Sequence, residues 1–220
     1  MTKPLTKAFL ESSLTRSEAR RISRLTTPAK IQAFLDTIEY SEEERYRSPL
    51  TVLRDMKGHC FDGALFAAAM LRRIGHPPLI VDIIPNDNDD DHLLAVFKVD
   101  GRWGAVAKSN YTGLRYREPV HRTLRELIMT YFEVFFNAIG EKTMRAYTRP
   151  LNLQEFDKLQ WETCDKSLDT IGDKLENIKT YRPLTPKMIR NLTFADERSV
   201  KAGLLGAKAA GLFKPKKPRR

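Results

Sequence analysis

Apolar residues after Thr27-Pro28 recur at helical spacing: Ile31, Phe34, Leu35 and Ile38. This predicts a helix with Thr27 as N-cap and Pro28 in its first turn. A short helix from about Ser17 precedes it, and the charged residues 41–48 read as a surface connection. From Cys60 to Ile74 the pattern changes. Ala64, Leu65, Phe66, Ala67, Ala68, Ala69, Met70 and Leu71 leave hardly any polar face, which predicts a buried helix. Gly75 supplies its stop, and Pro77-Pro78 prevents continuation. The β-branched run Leu79–Ile84 reads as a strand and residues 85–91 as an acidic loop. His92–Val99 is a second strand, Asp100-Gly101 a hairpin turn and Arg102–Ala107 the returning strand.

Beyond the hairpin, Thr123 and Glu126 form a capping box. The helix they open carries Leu124, Leu127, Ile128, Tyr131, Phe132, Phe135, Phe136 and Ile139 on one stripe, and Gly140 closes it. Asn152 with Glu155 caps another predicted helix. There Trp161, Cys164, Leu168, Ile171, Leu175 and Ile178 alternate in threes and fours, a stripe suited to the core or to a partner helix. Cys164 lies in it and reads as a buried structural thiol. Thr185-Pro186 opens a last helix to about Arg198. The fold class that follows is α+β: a Cys-bearing buried helix packed on a small antiparallel sheet, flanked by additional helices. Residues 1–48 form an N-terminal helical extension, 49–150 the core and 151–200 C-terminal helices packed on it. Residues 201–220 read as a basic flexible tail.

Composition narrows the class. The 220 residues are 41% hydrophobic and 30% charged, which fits a globular, soluble chain with one real core. No apolar run approaches the ~20 residues of a membrane helix. Met1–Lys7 is not followed by the apolar stretch of a secretory signal. Cys60 and Cys164 are the only cysteines, so a disulfide framework is excluded and a cytoplasmic location is expected. No four-ligand zinc spacing occurs. The net charge is +10, but Lys201, Lys208, Lys214, Lys216, Lys217, Arg219 and Arg220 contribute seven charges to an end without acids. Removing those seven leaves +3 on residues 1–200. The basic end is a solvated tail on this reading, or a contact for an acidic partner or nucleic acid.

Cys60 carries the candidate chemistry. At a helix N-terminus, backbone amides and the dipole stabilise a thiolate, and a thiolate is the nucleophile. The alternative is an inert thiol on a buried helix. A base is needed, and His59, His76, His92 and His121 are available. His59 is a sequence neighbour pointing elsewhere, and His76 lies beyond the far end of the helix. His121 precedes a different helix. His92 opens a strand beside the buried helix, so it is the candidate. Asp87, Asp89, Asp90 and Asp91 lack the glycine and distal glutamate of an EF-hand and read as a solvated loop. Lys108, Arg115, Arg117 and Arg122 interleave with Tyr111 and Tyr116 and read as an ordinary charged surface, with a wall for an anionic or peptide ligand as the alternative.

Gly58-His59-Cys60-Phe61-Asp62-Gly63-Ala64-Leu65, Leu71-Arg72-Arg73-Ile74-Gly75-His76-Pro77-Pro78, His92 and Asp100-Gly101-Arg102-Trp103 follow one another in an order that resembles the transglutaminase-like cysteine superfamily. The resemblance covers roughly residues 55–110. It implies a papain-like Cys–His core in which Cys60 attacks an amide or ester carbonyl and His92 moves the proton. Backbone amides near Cys60 would meet the oxyanion, and no cofactor is required. The family has an aspartate about four residues after the hairpin tryptophan; here that position is Ala107. Asn110 or Ser109 would have to orient His92, or the third member is missing. The implied function is a cysteine hydrolase or acyltransferase acting on a peptide or small-molecule amide. A catalytically inactive fold that binds protein or nucleic acid is the alternative.

Overall fold

The computed structural model describes residues 9–215. Chain order begins with α1 (Phe9–Ser12), α2 (Arg16–Ser23), α3 (Pro28–Thr37), β1 (Glu39–Tyr40), α4 (Pro49–Asp55), β2 (Lys57–Gly58) and α5 (Cys60–Arg73). The hairpin strands follow: β3 (Leu79–Pro85), β4 (His92–Val99) and β5 (Arg102–Val106). Then come β6 (Arg117–His121), α6 (Leu124–Met129), β7 (Met144–Thr148), β8 (Leu151–Asn152), α7 (Asp169–Glu176), β9 (Thr180–Tyr181), α8 (Pro186–Arg190) and α9 (Glu197–Gly203). The fold is α+β, as the pattern predicts, with Cys60 opening the buried helix. No helix among the described residues is long and apolar enough to cross a membrane.

The sheet is larger than the three strands legible in the sequence. Its order is β6-β5-β4-β3-β7-β9, with β8 also on β3, and every pairing is antiparallel. Asp100 and Gly101 take φ of 48° and 77°, the left-handed pair that a two-residue hairpin requires. In β4, Leu93, Ala95 and Phe97 face α5, while Leu94 and Val96 face Leu127, Ile128 and Tyr131. This alternation is the period of two of a strand. Ala64 to Leu71 are at most 1% exposed, which explains why α5 has no polar face.

Three predicted stretches fold differently. The helix expected to run to Ile139 stops at Met129 and is followed by a 3-10 turn, Phe132–Val134. Arg117 accounts for the stop: its guanidinium donates to Thr130 Oγ1 and to the Thr130 carbonyl. The stretch after Asn152 is a 3-10 helix, Leu153–Leu159, ended by Gln160 at φ 53°. There Arg72 grips both oxygens of Asp157, so tertiary contacts override the helical pattern. Cys164 is half-buried and precedes a 3-10 turn, not buried within a continuous helix. The helix expected from Thr185 to Arg198 is two helices, α8 and α9. Residues 41–48 are less superficial than their charge implies. Arg47 is 1% exposed, with its guanidinium bonded to Ser41, Glu43 and Asp55.

Residues 201–215, expected to be mobile, lie against the body. Thr112 Oγ1 donates to the Ala202 carbonyl, Gly203 packs on the Phe136 ring, and Lys208 pairs with Glu39 and Glu42. Lys216, Lys217, Arg219 and Arg220 of the basic end, like Met1–Lys7, lie outside the described residues.

Candidate active site

Cys60 is placed by a carboxylate one turn into its helix. Asp62, fully buried, accepts from His59 N at 3.2 Å and from Arg47 N at 2.7 Å. One side chain thus caps α5 and ties it to the preceding loop. Tyr40 arrives beside Cys60 through the parallel β1–β2 pairing, in register with Gly58. Across α5, Gly63 lets the end of β5 approach. A Cβ there would lie 2.2 Å from Lys108 Cβ. Lys108 then reaches over to donate to the Leu35 and Ile38 carbonyls at the end of α3. Burial pushes its pKa down to about 8.

Cys60 and His92 line one cavity of about 390 Å³, whose wall includes Tyr40, Glu42, Asp91 and Phe213. The Cys60 thiol donates to the Asp91 carbonyl at 3.9 Å, which favours the neutral form, whereas the Leu93 amide favours the ionised one. Burial nevertheless pushes the thiol pKa up, helped by Asp91, Asp82 and Asp62. Desolvation and the neighbouring carboxyl groups therefore oppose the ionisation that a helix N-terminus favours. Asp82, nine-tenths buried, has its Oδ1 without a hydrogen-bond partner. Its pKa stands well above the ordinary carboxylate range because of burial and the nearby Asp91.

His92 is buried on the other face of β4, with its ring edge-on to Tyr131 at 6.5 Å. Its Nε2 lies 2.6 Å from the Leu114 carbonyl oxygen. A carbonyl only accepts, so Nε2 carries the proton and Nδ1 holds the lone pair. Burial lowers the pKa to about 4, overcoming the Leu114 contact, and Arg117 lowers it further. The imidazole is therefore neutral near pH 7, with its basic atom and tautomer defined. No hydrogen bond joins Cys60 to His92 among the described residues.

Asn110 and Ser109 both line the cavity. Asn110 is bonded to the C-terminal segment: its Oδ1 accepts from Lys208 N, and its Nδ2 donates to the Lys208 and Gly211 carbonyls. Ser109 Oγ accepts from Tyr111 N. Ala107 is buried, and its main chain is clamped by the Gln32 amide, which donates to its oxygen and accepts from its nitrogen at 3.0 Å each. The group in contact with the His92 ring nitrogen is the main chain of Leu114, which side-chain reasoning could not find. Tyr40 is a second missed residue. No side-chain signal marks it, because its place depends on β1 pairing with β2. In the acidic loop, Asp89 accepts from Thr143 Oγ1 and Asp90 N, and burial pushes it up to about 6.

The profile of the transglutaminase-like superfamily matches residues 12–107, which include Cys60 and His92 and end at Ala107. The matched segment is transglutaminase-like. No curated protein sequence matches the chain. Among solved structures, LapG of Legionella pneumophila is similar at 11% identity and a TM-score of 0.39, covering 76% of this chain and 93% of its own. The EGTA-treated form of LapG aligns at 10% identity and a TM-score of 0.40, covering 74% and 93%.

Proposed function

We propose that the transglutaminase-like segment carries a thiol acyl-transfer site acting on an amide of a peptide or small molecule. The observation behind this reading is the shared cavity of Cys60 and a His92 whose Nδ1 is left basic by the Leu114 contact. Because burial raises the Cys60 pKa, the proton moves during attack on this reading, without a preformed thiolate–imidazolium pair. Sulfur bonds to the carbonyl carbon as the thiol proton passes to Nδ1, and the C=O pair moves onto oxygen. Collapse breaks the C–N bond, Nδ1–H gives its proton to the departing amine, and a Cys60 thioester remains. Water or a second amine then takes the acyl group. Substrate entry must bring the ring and thiol into hydrogen-bond reach. Tyr40, which lines the cavity, is a side chain available to meet the oxyanion. Leu114 would do the orienting work that the sequence assigns to Asn110.

A second reading is a binding fold without catalysis. It is favoured by Ala107, by the missing Cys60–His92 bond and by the raised thiol pKa. Turnover of a panel of peptide amides and activated esters separates the two. The acyl-transfer reading predicts release of amine or alcohol that vanishes in Cys60→Ala and falls by about 100-fold or more in His92→Ala. Equal background rates in all three proteins would leave the binding fold.

A further inference from the structure

At the mouth of the Cys60 cavity, the chain holds a stretch of its own backbone. Asn110 makes three hydrogen bonds to it: Lys208 N to Oδ1 at 2.8 Å, Nδ2 to the Lys208 carbonyl at 2.9 Å and Nδ2 to the Gly211 carbonyl at 3.1 Å. A side-chain amide that pairs with both polar groups of one residue recognises main chain, whatever the side chain there. The Lys208 side chain is recognised separately. Its Nζ lies 2.6 Å from Glu39 Oε1 and 2.7 Å from Glu42 Oε2. Three residues on, Gly211 lies against the Tyr40 ring; a Cβ there would be 2.9 Å from two ring carbons. Ala210, Gly211, Leu212 and Phe213 then form part of the wall of the cavity that Cys60 opens into.

We propose that Asn110, Glu39, Glu42 and Tyr40 form a subsite for a lysine-bearing peptide turn, and that residues 208–213, which carry a 3-10 turn over Ala209–Gly211, are its occupant in cis. Three kinds of contact coincide on one short segment: main-chain pairing, a two-carboxylate clamp on an ammonium, and a steric slot for glycine. That combination distinguishes a peptide-recognition site from a basic tail resting on an acidic surface. The clamp is solvent-exposed, and such ion pairs are weak and screened by salt. The segment is therefore held loosely enough for an incoming peptide of the same chemistry to exchange with it. Occupied, it walls in Cys60 and engages Asn110; displaced, it opens the cavity. Peptide binding stands without acyl transfer, and the assignment of this peptide as substrate rests on the reading above.

The test uses the full chain. Lys208→Glu reverses the clamped charge without touching the core, and Gly211→Val drives the segment off Tyr40. Cys60 alkylation by neutral iodoacetamide is followed by peptide mass, with Cys164 as internal reference. Binding of a fluorescent decapeptide spanning residues 205–214 to the Gly211→Val protein is followed by anisotropy. The proposal predicts Cys60 labelling at least about threefold faster in both variants, with Cys164 unchanged. It also predicts saturable peptide binding, about tenfold weaker for the same decapeptide carrying Lys208→Glu. Cys60 labelling at the wild-type rate in both variants overturns the proposal, as does a decapeptide bound no better than its Lys208→Glu form. Peptide binding by a protein that turns over no amide or ester would keep this subsite and remove the acyl-transfer reading.

Discussion

The two faces of the central sheet are covered by unlike structures, and each supplies one member of the candidate pair. On one face lies α5, fourteen residues long and buried along almost its whole length, with Cys60 at its first position. On the other lie the short α6, a 3-10 turn and the aromatic residues Tyr131 and Phe135, with His92 tucked beneath them. The first face is a continuous apolar surface, which imposes position but gives a thiol no proton acceptor. The second is irregular, and irregular backbone leaves carbonyls free of ladder partners. One of these, from Leu114, binds His92 Nε2. A regular helix aims the candidate nucleophile, whereas the looser face sets the tautomer of the candidate base.

That contrast can be strained at its strongest joint first. Asp62→Ala removes the carboxylate that ties α5 to the Arg47 loop and leaves the buried Arg47 one partner short. We expect a loss of about 3–5 kcal/mol, read from urea unfolding. Truncation then compares the faces directly. Phe66→Ala, on α5, stacked on Phe34 at 5.0 Å and fully buried, should cost about 3–5 kcal/mol. Leu124→Ala, at the half-buried start of α6, should cost less than half as much; equal losses would erase the distinction. Gly63→Ala forces a methyl against Lys108 and should cost about 1–3 kcal/mol by overpacking, measured by thermal melting.

A separate effect concerns protons. His92 has a folded pKa of about 4 against an ordinary 6.5, so the unfolded chain binds the proton more readily. Its contribution to stability is full above about pH 6.5 and is lost progressively as pH falls towards 4. His92→Gln lacks this titration. The difference in urea midpoint between wild type and His92→Gln should therefore shift against the wild type between about pH 6.5 and 4, and the His92 ring resonances should titrate near pH 4. A midpoint near 6.5 would mean that the ring is not buried as described.

Much of the α5 face is legible in the amino-acid sequence. The all-apolar run, the Thr27 cap, the Gly75 stop and the Asp100-Gly101 turn are local signals, and each element they mark is present. The opposite face is not. Phe132 to Ile139 keeps a helical stripe, yet the chain leaves the helix at Thr130 because Arg117, thirteen residues upstream, binds there. Strand β7 emerges only through its pairing with β3, some sixty residues away in sequence. The site divides in the same way. Cys60 and His92 are readable as side chains with a spacing. The Leu114 carbonyl is not, because a main-chain oxygen has no letter of its own.

The most direct test of the central claim is the rate at which Cys60 takes an acyl group from an activated ester, followed by intact and peptide mass. Wild type and His92→Ala would be compared, with Cys164 as the reference thiol. The account predicts a Cys60 acyl adduct formed about 100-fold or more faster in the wild type than in His92→Ala, with Cys164 slow in both. Cys60 acylating no faster than Cys164, and at the same rate without His92, would contradict it.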